Sequence, residues 1–159
     1  MRAISTVSDN FLDPIEARKK AMDYLARREH GCVELLNKVR KFGFDASVAE
    51  DAVAQLVEDG LQSDQRFVEA FVQSRINQGK GPARIRADLR ERGISDALVD
   101  DGLRDARQDW HKLACEVRLK KFGAGCPTDF KDKTRQMRFL QSRGFETDHI
   151  QAAVSAAGE

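Results

Sequence analysis

A nineteen-residue pattern recurs three times in this chain at a period of about fifty residues, and it constrains the fold more than any other feature. The copies are LLNKVRKFGFDASVAEDAV (Leu35 to Val53), IRADLRERGISDALVDDGL (Ile85 to Leu103) and QMRFLQSRGFETDHIQAAV (Gln136 to Val154). Aligned, each has a glycine in one column: Gly43, Gly93 and Gly144. An apolar residue stands four before it (Val39, Leu89, Leu140) and another directly after it (Phe44, Ile94, Phe145). Further apolar columns fall six after it (Ala49, Val99, Ile150) and ten after it (Val53, Leu103, Val154). Repeats of this size bury too little apolar surface alone and stack on their neighbours. The pattern points away from a single catalytic pocket and toward an extended helical surface that meets another macromolecule.

The apolar residues recur three and four apart, and no stretch alternates with period two, so every element reads as a helix. Asp13-Pro14 opens the first helix with a capping carboxylate and a proline at the first helical position. Ala17, Ala21, Tyr24 and Leu25 form its apolar stripe, and Gly31 breaks the chain. Cys32, Leu35, Leu36, Val39 and Phe42 mark the second helix, closed by Gly43. Asp45 caps the third. The order then repeats, with Ser63 and Ser95 as caps, a GKGP turn (Gly79 to Pro82) and a closing Gly93. In the last unit, Asp109 opens a helix through Phe122, a longer loop follows, Gly144 closes the middle helix and Thr147 is the expected cap of the final one. The fold class is therefore all-α, three tandem three-helix repeats in an elongated, curved array. Residues 1–12 read as a flexible tail, 13–62 as the first repeat, 63–108 as the second and 109–159 as the third.

Charged residues make up 33% of the chain, yet 27 basic side chains stand against 26 acidic ones, for a net charge of +1. No global basic field supports non-specific nucleic-acid binding. Only the last third is clearly positive. Cys32, Cys115 and Cys126 are an odd set without C-x-x-C spacing, which argues against a disulfide framework or a zinc site and for a reduced, cytoplasmic setting. The first residues lack an apolar signal-peptide core, and no apolar run approaches membrane length.

No catalytic constellation assembles. His30, His111 and His149 lack partners at motif spacing and read as isolated surface or helix-end residues. Gly79-Lys80-Gly81 lacks the phosphate-loop frame, and Pro82 removes a backbone N–H where a cradle needs one. Asp100-Asp101 and Glu58-Asp59 are adjacent on helices and so point apart. The chain reads as a protein that is not an enzyme, with no cofactor and no metal.

Binding chemistry concentrates in the middle repeat. Lys80, Arg84, Arg86, Arg90 and Arg92 place five cations in thirteen residues, opposed by Asp88 and Glu91. Arg86 and Arg90 are four apart and share a helix face. Guanidinium groups suit bidentate pairing with carboxylate or phosphate, so this helix is a candidate docking face. Its solvated alternative is an ordinary charged helix surface. A second basic stretch runs through Arg118, Lys120, Lys121, Lys131, Lys133, Arg135 and Arg138, with Phe122 and Phe130 interleaved at spacings that favour helix packing over base stacking. A third comprises Arg27, Arg28, Lys38, Arg40 and Lys41.

The run SDQRFVEAFVQSR (Ser63 to Arg75) followed by GKGPARIRADLRERGI (Gly79 to Ile94) resembles the central signature of the bacterial RecX regulatory proteins. The segments from Ala21 to His30 and from Glu34 to Val39 resemble that family's first repeat, and FLQSRGF (Phe139 to Phe145) its third. Gly31-Cys32 departs from the serine cap expected there. The resemblance implies three tandem three-helix repeats and a negative regulator of the RecA recombinase. It implies binding in the groove of the RecA–DNA filament and inhibition of ATPase, strand exchange, coprotease activity and filament extension. Its implied partners are the RecA filament and, within it, DNA, with weak DNA binding alone, no membrane and a monomeric chain. Arg84, Arg86 and Arg90 are the first candidates for contact with RecA carboxylates or DNA phosphates, followed by Arg75 and Lys80. The alternatives are a direct DNA-binding helical module, whose affinity would fall steeply with salt, and a helical scaffold for an unrelated protein.

The glycine column has a local reason, because a left-handed residue closes a helix at a cost of about 1 kcal/mol or more for any side chain other than hydrogen. Gly93→Val is expected to lower the thermal midpoint, and an unchanged midpoint in a melting scan would refute the assignment.

Overall fold

The computed structural model describes residues 10–155 of the 159. Among them lie nine helices and no strand. Helices α1 (Pro14–Arg27), α2 (Cys32–Phe42) and α3 (Ala46–Glu58) form the first repeat. The second comprises α4 (Asp64–Asn77), α5 (Pro82–Glu91) and α6 (Asp96–Asp105), and the third α7 (Trp110–Phe122), α8 (Phe130–Ser142) and α9 (Thr147–Ser155). All twelve apolar positions of the repeated pattern are buried, from Val39, Leu89 and Leu140 to Val53, Leu103 and Val154. Each of the larger side chains among them contributes about 1.5–3 kcal/mol on burial, so the pattern supplies a large share of the core. Gly43, Gly93 and Gly144 all have positive φ, at 132°, 77° and 96°.

By internal packing the chain groups into two compact units. One runs to Ala70 and takes in Arg92–Ser95; the other holds Phe71–Glu91 and everything from Asp96 onward. The middle repeat is thus divided, with α4 contributing its first half to one unit and its second half to the other.

The core of the first unit is built from Ala17, Ala21, Leu35, Val39, Phe44, Ala49, Ala52, Val53 and Leu56. Asp13 accepts from Ile15 N–H, and Asp45 from Ser47 and Val48 N–H, as expected of capping carboxylates. The tail expectation lies outside the described residues up to residue 9 and fails at Phe11. That ring meets Phe44 edge-on at 5.3 Å, and its backbone carbonyl accepts from Asp45 N–H at 3.0 Å. His30 is buried, not a surface residue. Its Nδ1 faces the Arg28 carbonyl at 3.0 Å and its Nε2 faces the Lys38 ammonium at 3.0 Å, while Gln62 donates to its backbone carbonyl. Burial holds its pKa below the ordinary histidine value, and the Arg28 and Lys38 charges act in the same direction against the Arg28 carbonyl. The ring is a neutral core residue with its proton on Nδ1.

In the second unit, Ile76, Ile85, Leu89, Val99, Leu113, Leu140, Phe145 and Ile150 are buried. Arg118, expected in a basic surface stretch, is buried instead. It donates to the carbonyls of Gly123 and Gly125 and to Gln136 Oε1, and so ties down the long loop between α7 and α8. Phe130, expected in the core, is 84% exposed, whereas Phe122 packs edge-on against Phe139 at 5.4 Å. Helical spacing places a residue on a face, but Phe130 is the first residue of α8 and lies beyond the packed stripe. Thr147 is the first residue of α9 and not its cap; Glu146 holds the cap position, and its N–H donates to His149 Nδ1 at 3.2 Å. A side chain three residues into the helix thus reaches back to the cap, as in a capping box.

Two glycines set the closest approach in this unit. The Gly81 N–H donates to the Arg143 carbonyl at 2.8 Å and the Ala83 N–H to the Gly144 carbonyl at 2.9 Å. A Cβ on Gly81 would stand 2.4 Å from the Gly144 backbone, and one on Gly144 would stand 2.3 Å from Arg84 Cβ. The start of α5 therefore docks backbone-to-backbone on the turn after α8, which also satisfies helix-start N–H groups that would lack partners. Gly60 also has a positive φ, of 74°, but no neighbour lies where its Cβ would stand. Gly81→Ala is expected to destabilise the chain by about 3 kcal/mol through overpacking against backbone that cannot yield. Gly60→Ala should cost only the conformational strain, about 1 kcal/mol. Equal losses in denaturant unfolding of the two variants would overturn the docking account.

Candidate functional site

The Gly81–Gly144 contact brings cations from two repeats to one place. Lys80 lies in the turn before α5, Arg84 in the first turn of α5, Arg75 in the last turn of α4, and Arg143 at the C-cap of α8. The Lys80 amine sits below the ordinary lysine range. Partial burial is the first cause, followed by the guanidinium charges of Arg143 and Arg84, with Arg75 adding to them and Asp88 opposing. Asp88 pairs with Arg84 at 3.5 Å. The guanidinium of Arg75 lies over the Phe71 ring at 4.1 Å and that of Arg143 over the Phe139 ring at 5.2 Å. Stacking of this kind holds the forks in place while leaving their N–H edges for a ligand.

An open cleft of about 490 Å³ adjoins the cluster. Its walls include Ile76, Leu113, Val117 and Phe139, and Lys120, Lys121 and Arg143 line it as well. The concavity is apolar within and cationic in part of its lining, which suits a partner that carries both apolar and anionic groups.

Of the five residues expected from sequence, the structure gathers Arg75, Lys80 and Arg84. It does not gather Arg86 and Arg90, which share a helix face but are engaged by α6. Arg86 pairs with Asp100, and Arg90 Nε lies 2.7 Å from Asp96 Oδ1. Arg143 was missed. Its sequence signal is the column just before the repeat glycine, where Arg92 and Arg143 are equivalent.

The repeat supplies an internal comparison. Nine residues before the glycine column stand Glu34 and Arg84; one before it stand Arg92 and Arg143. In the first unit these equivalent positions, Glu34 and Arg92, form an ion pair at 3.7 Å, and Glu34 also binds Arg28 at 3.0 Å. Burial raises the Glu34 carboxyl, but the Arg28 hydrogen bond and charge outweigh it and hold its pKa below the usual value. In the second unit the same two columns hold arginines, Arg84 and Arg143, and the column of the neutral His30 holds Lys80. The first junction pairs the two columns with each other, whereas the second sets two cations in them and Asp88 against Arg84.

Among the described residues, no helix is long and apolar enough to cross a membrane. Cys32, Cys115 and Cys126 are free thiols, and burial raises that of Cys32, with the Asp64 charge acting the same way.

Three family models match the chain in order: the first three-helix domain of RecX over residues 17–56, the second over 63–103 and the third over 108–154. The chain is 44% identical over 142 residues to the regulatory protein RecX of Halorhodospira halophila, covering 89% of this chain and 88% of that one. It is 43% identical over 145 residues to that of Pseudomonas syringae pv. tomato, covering 91% and 94%. A crystal structure of RecX from Lactobacillus salivarius shares the fold at a TM-score of 0.74 and 18% identity, over 94% of this chain and 97% of that one. A second crystal structure, of a regulatory protein RecX, aligns at a TM-score of 0.75 and 21% identity, over 88% and 70%.

Arg143→Gln is expected to return the Lys80 amine toward the ordinary lysine range, read as the titration of its ε-carbon by NMR. An unchanged titration would mean that the Arg143 charge does not act on Lys80 and that the two cations do not converge.

Proposed function

The chain belongs to the RecX family of regulatory proteins, and from that premise we propose that it is a negative regulator of the RecA recombinase. It binds in the groove of the RecA–DNA filament in the cytoplasm. There it inhibits ATP hydrolysis, strand exchange, coprotease activity and filament extension. It acts by binding and performs no catalysis of its own. The observation that carries the site is the second junction, where Arg84 and Arg143 replace the Glu34–Arg92 pair of the first and Asp88 opposes Lys80, Arg84, Arg143 and Arg75 together. Converging like charges cost free energy in the free protein, and an anionic partner removes that cost. Lys80, Arg84 and Arg143, with Arg75 beside them, therefore meet RecA carboxylates or the phosphates of its DNA. Arg86 and Arg90 pair with carboxylates of α6, outside the group of cations around Lys80, and contribute less. Tandem repeats that each make modest contacts add avidity along a polymeric partner.

The decisive measurement is RecA's ATPase rate on single-stranded DNA, titrated with wild type, with Lys80→Glu/Arg143→Glu and with Arg86→Glu/Arg90→Glu. Wild type is expected to inhibit, the first variant to require a far higher ratio, and the second to retain inhibition. Absence of inhibition by wild type at any ratio would overturn the regulator reading. Equal inhibition by wild type and both variants would overturn the site alone.

A further inference from the structure

The packing of α7 against α9 corrects the expectation that the histidines are isolated. His111, Asp148 and His149 each present one potential ligand atom, and these atoms lie within 4.8 Å of one another. His111 is the second residue of α7; Asp148 and His149 are the second and third of α9. His111 Nε2 stands 3.4 Å from Asp148 Oδ2, and His149 Nε2 stands 3.9 Å from Asp148 Oδ1. The two imidazole rings meet edge-on with centroids 4.8 Å apart.

The cluster is peculiar to the third repeat. The columns of Asp148 and His149 hold Ser47 and Val48 in the first repeat and Ala97 and Leu98 in the second. Val48 packs against the core there, so an apolar side chain suits the column. An imidazole in its place, beside a carboxylate and a second imidazole, is not required by packing.

We propose that His111, Asp148 and His149 form a site for a transition-metal dication of the zinc, nickel and copper group. Two imidazoles and a carboxylate are the donors these borderline ions take, and remaining positions fall to water. Ligand bonds of about 2.1 Å require donor atoms within about 4.2 Å of each other. The present spread is slightly wider, and the two exposed side chains close it. The side chains of His111 and Asp148 are 53% and 66% exposed and have room to adjust, whereas His149 is 7% exposed and held by packing. Both helix starts carry partial positive charge, which the Asp148 carboxylate offsets.

Binding has a specific proton consequence. The Glu146 N–H donates to His149 Nδ1, so the metal-free ring carries its proton on Nε2. A metal at Nε2 displaces that proton, Nδ1 takes one up, and the Glu146 bond opens. Metal entry thus switches the tautomer of His149.

The test uses the full chain with Cys126→Ser, so that the exposed thiol does not compete. Zinc is titrated against a chromophoric chelator, cobalt is followed by its visible spectrum, and the His149 ring nitrogens are followed by NMR. The expected result is one equivalent of zinc, a cobalt spectrum without thiolate charge transfer, and a shift of the His149 proton from Nε2 to Nδ1. His111→Ala, at an exposed position, should keep the fold and weaken binding roughly tenfold or more. No saturable binding, equal affinity in His111→Ala, or an unmoved His149 tautomer under saturating zinc would each overturn the proposal. RecA inhibition by the metal-free chain is independent of all three.

Discussion

The contact of Gly81 with Gly144 is the constraint on which the second unit depends. Two backbone segments meet with no room for a methyl group, and two N–H groups at the start of α5 find carbonyls of the turn after α8. Because the contact is between main chains, it fixes direction as well as distance. Arg84 follows Gly81 by three residues and Arg143 precedes Gly144 by one, so both side chains leave the junction beside Lys80. The cationic cluster is a consequence of how the turns dock.

The first unit uses the same columns with softer contacts. A Cβ on Gly31 would meet the Phe67 ring at 3.3 Å and Ile94 at 3.4 Å, and one on Gly93 would meet Val33 at 2.9 Å. Polar links complete that junction: the Cys32 N–H donates to Asp64 Oδ1 at 2.7 Å, and Gln62 bridges Asp64 and the His30 carbonyl. Its charges are paired and its histidine is neutral and enclosed. Exposed ion pairs add little stability, so the difference between the junctions lies less in energy than in what each surface offers a partner. A junction whose columns pair with each other is electrostatically quieter than one where several cations face a single carboxylate, Asp88.

Residues that sequence placed in one class but the structure placed in another share a cause. Arg118, His30 and His149 are polar side chains whose partners come from other elements or from a loop. Burial of a polar group depends on whether partners are delivered to it, and periodicity carries no information about that. Phe130 erred in the opposite direction, as an aromatic at the very start of a helix that lies past the packed stripe.

The sequence by itself determined the helices, the three repeats, the glycine turns and the core, because each follows from spacing, capping and backbone conformation within some twenty residues. The resemblance to RecX was legible for the same reason, since it rests on contiguous runs. Only the tertiary structure decided which cations act together. Arg86 and Arg90, neighbours on one helix face, are drawn off by Asp100 and Asp96, while Lys80 and Arg84 join Arg143 from some sixty residues away. Electrostatic grouping depends on distances in space, and across repeats those are set by where two glycine backbones touch. The meeting of His111 with Asp148 and His149 belongs to the same class, because it exists only through the packing of α7 on α9.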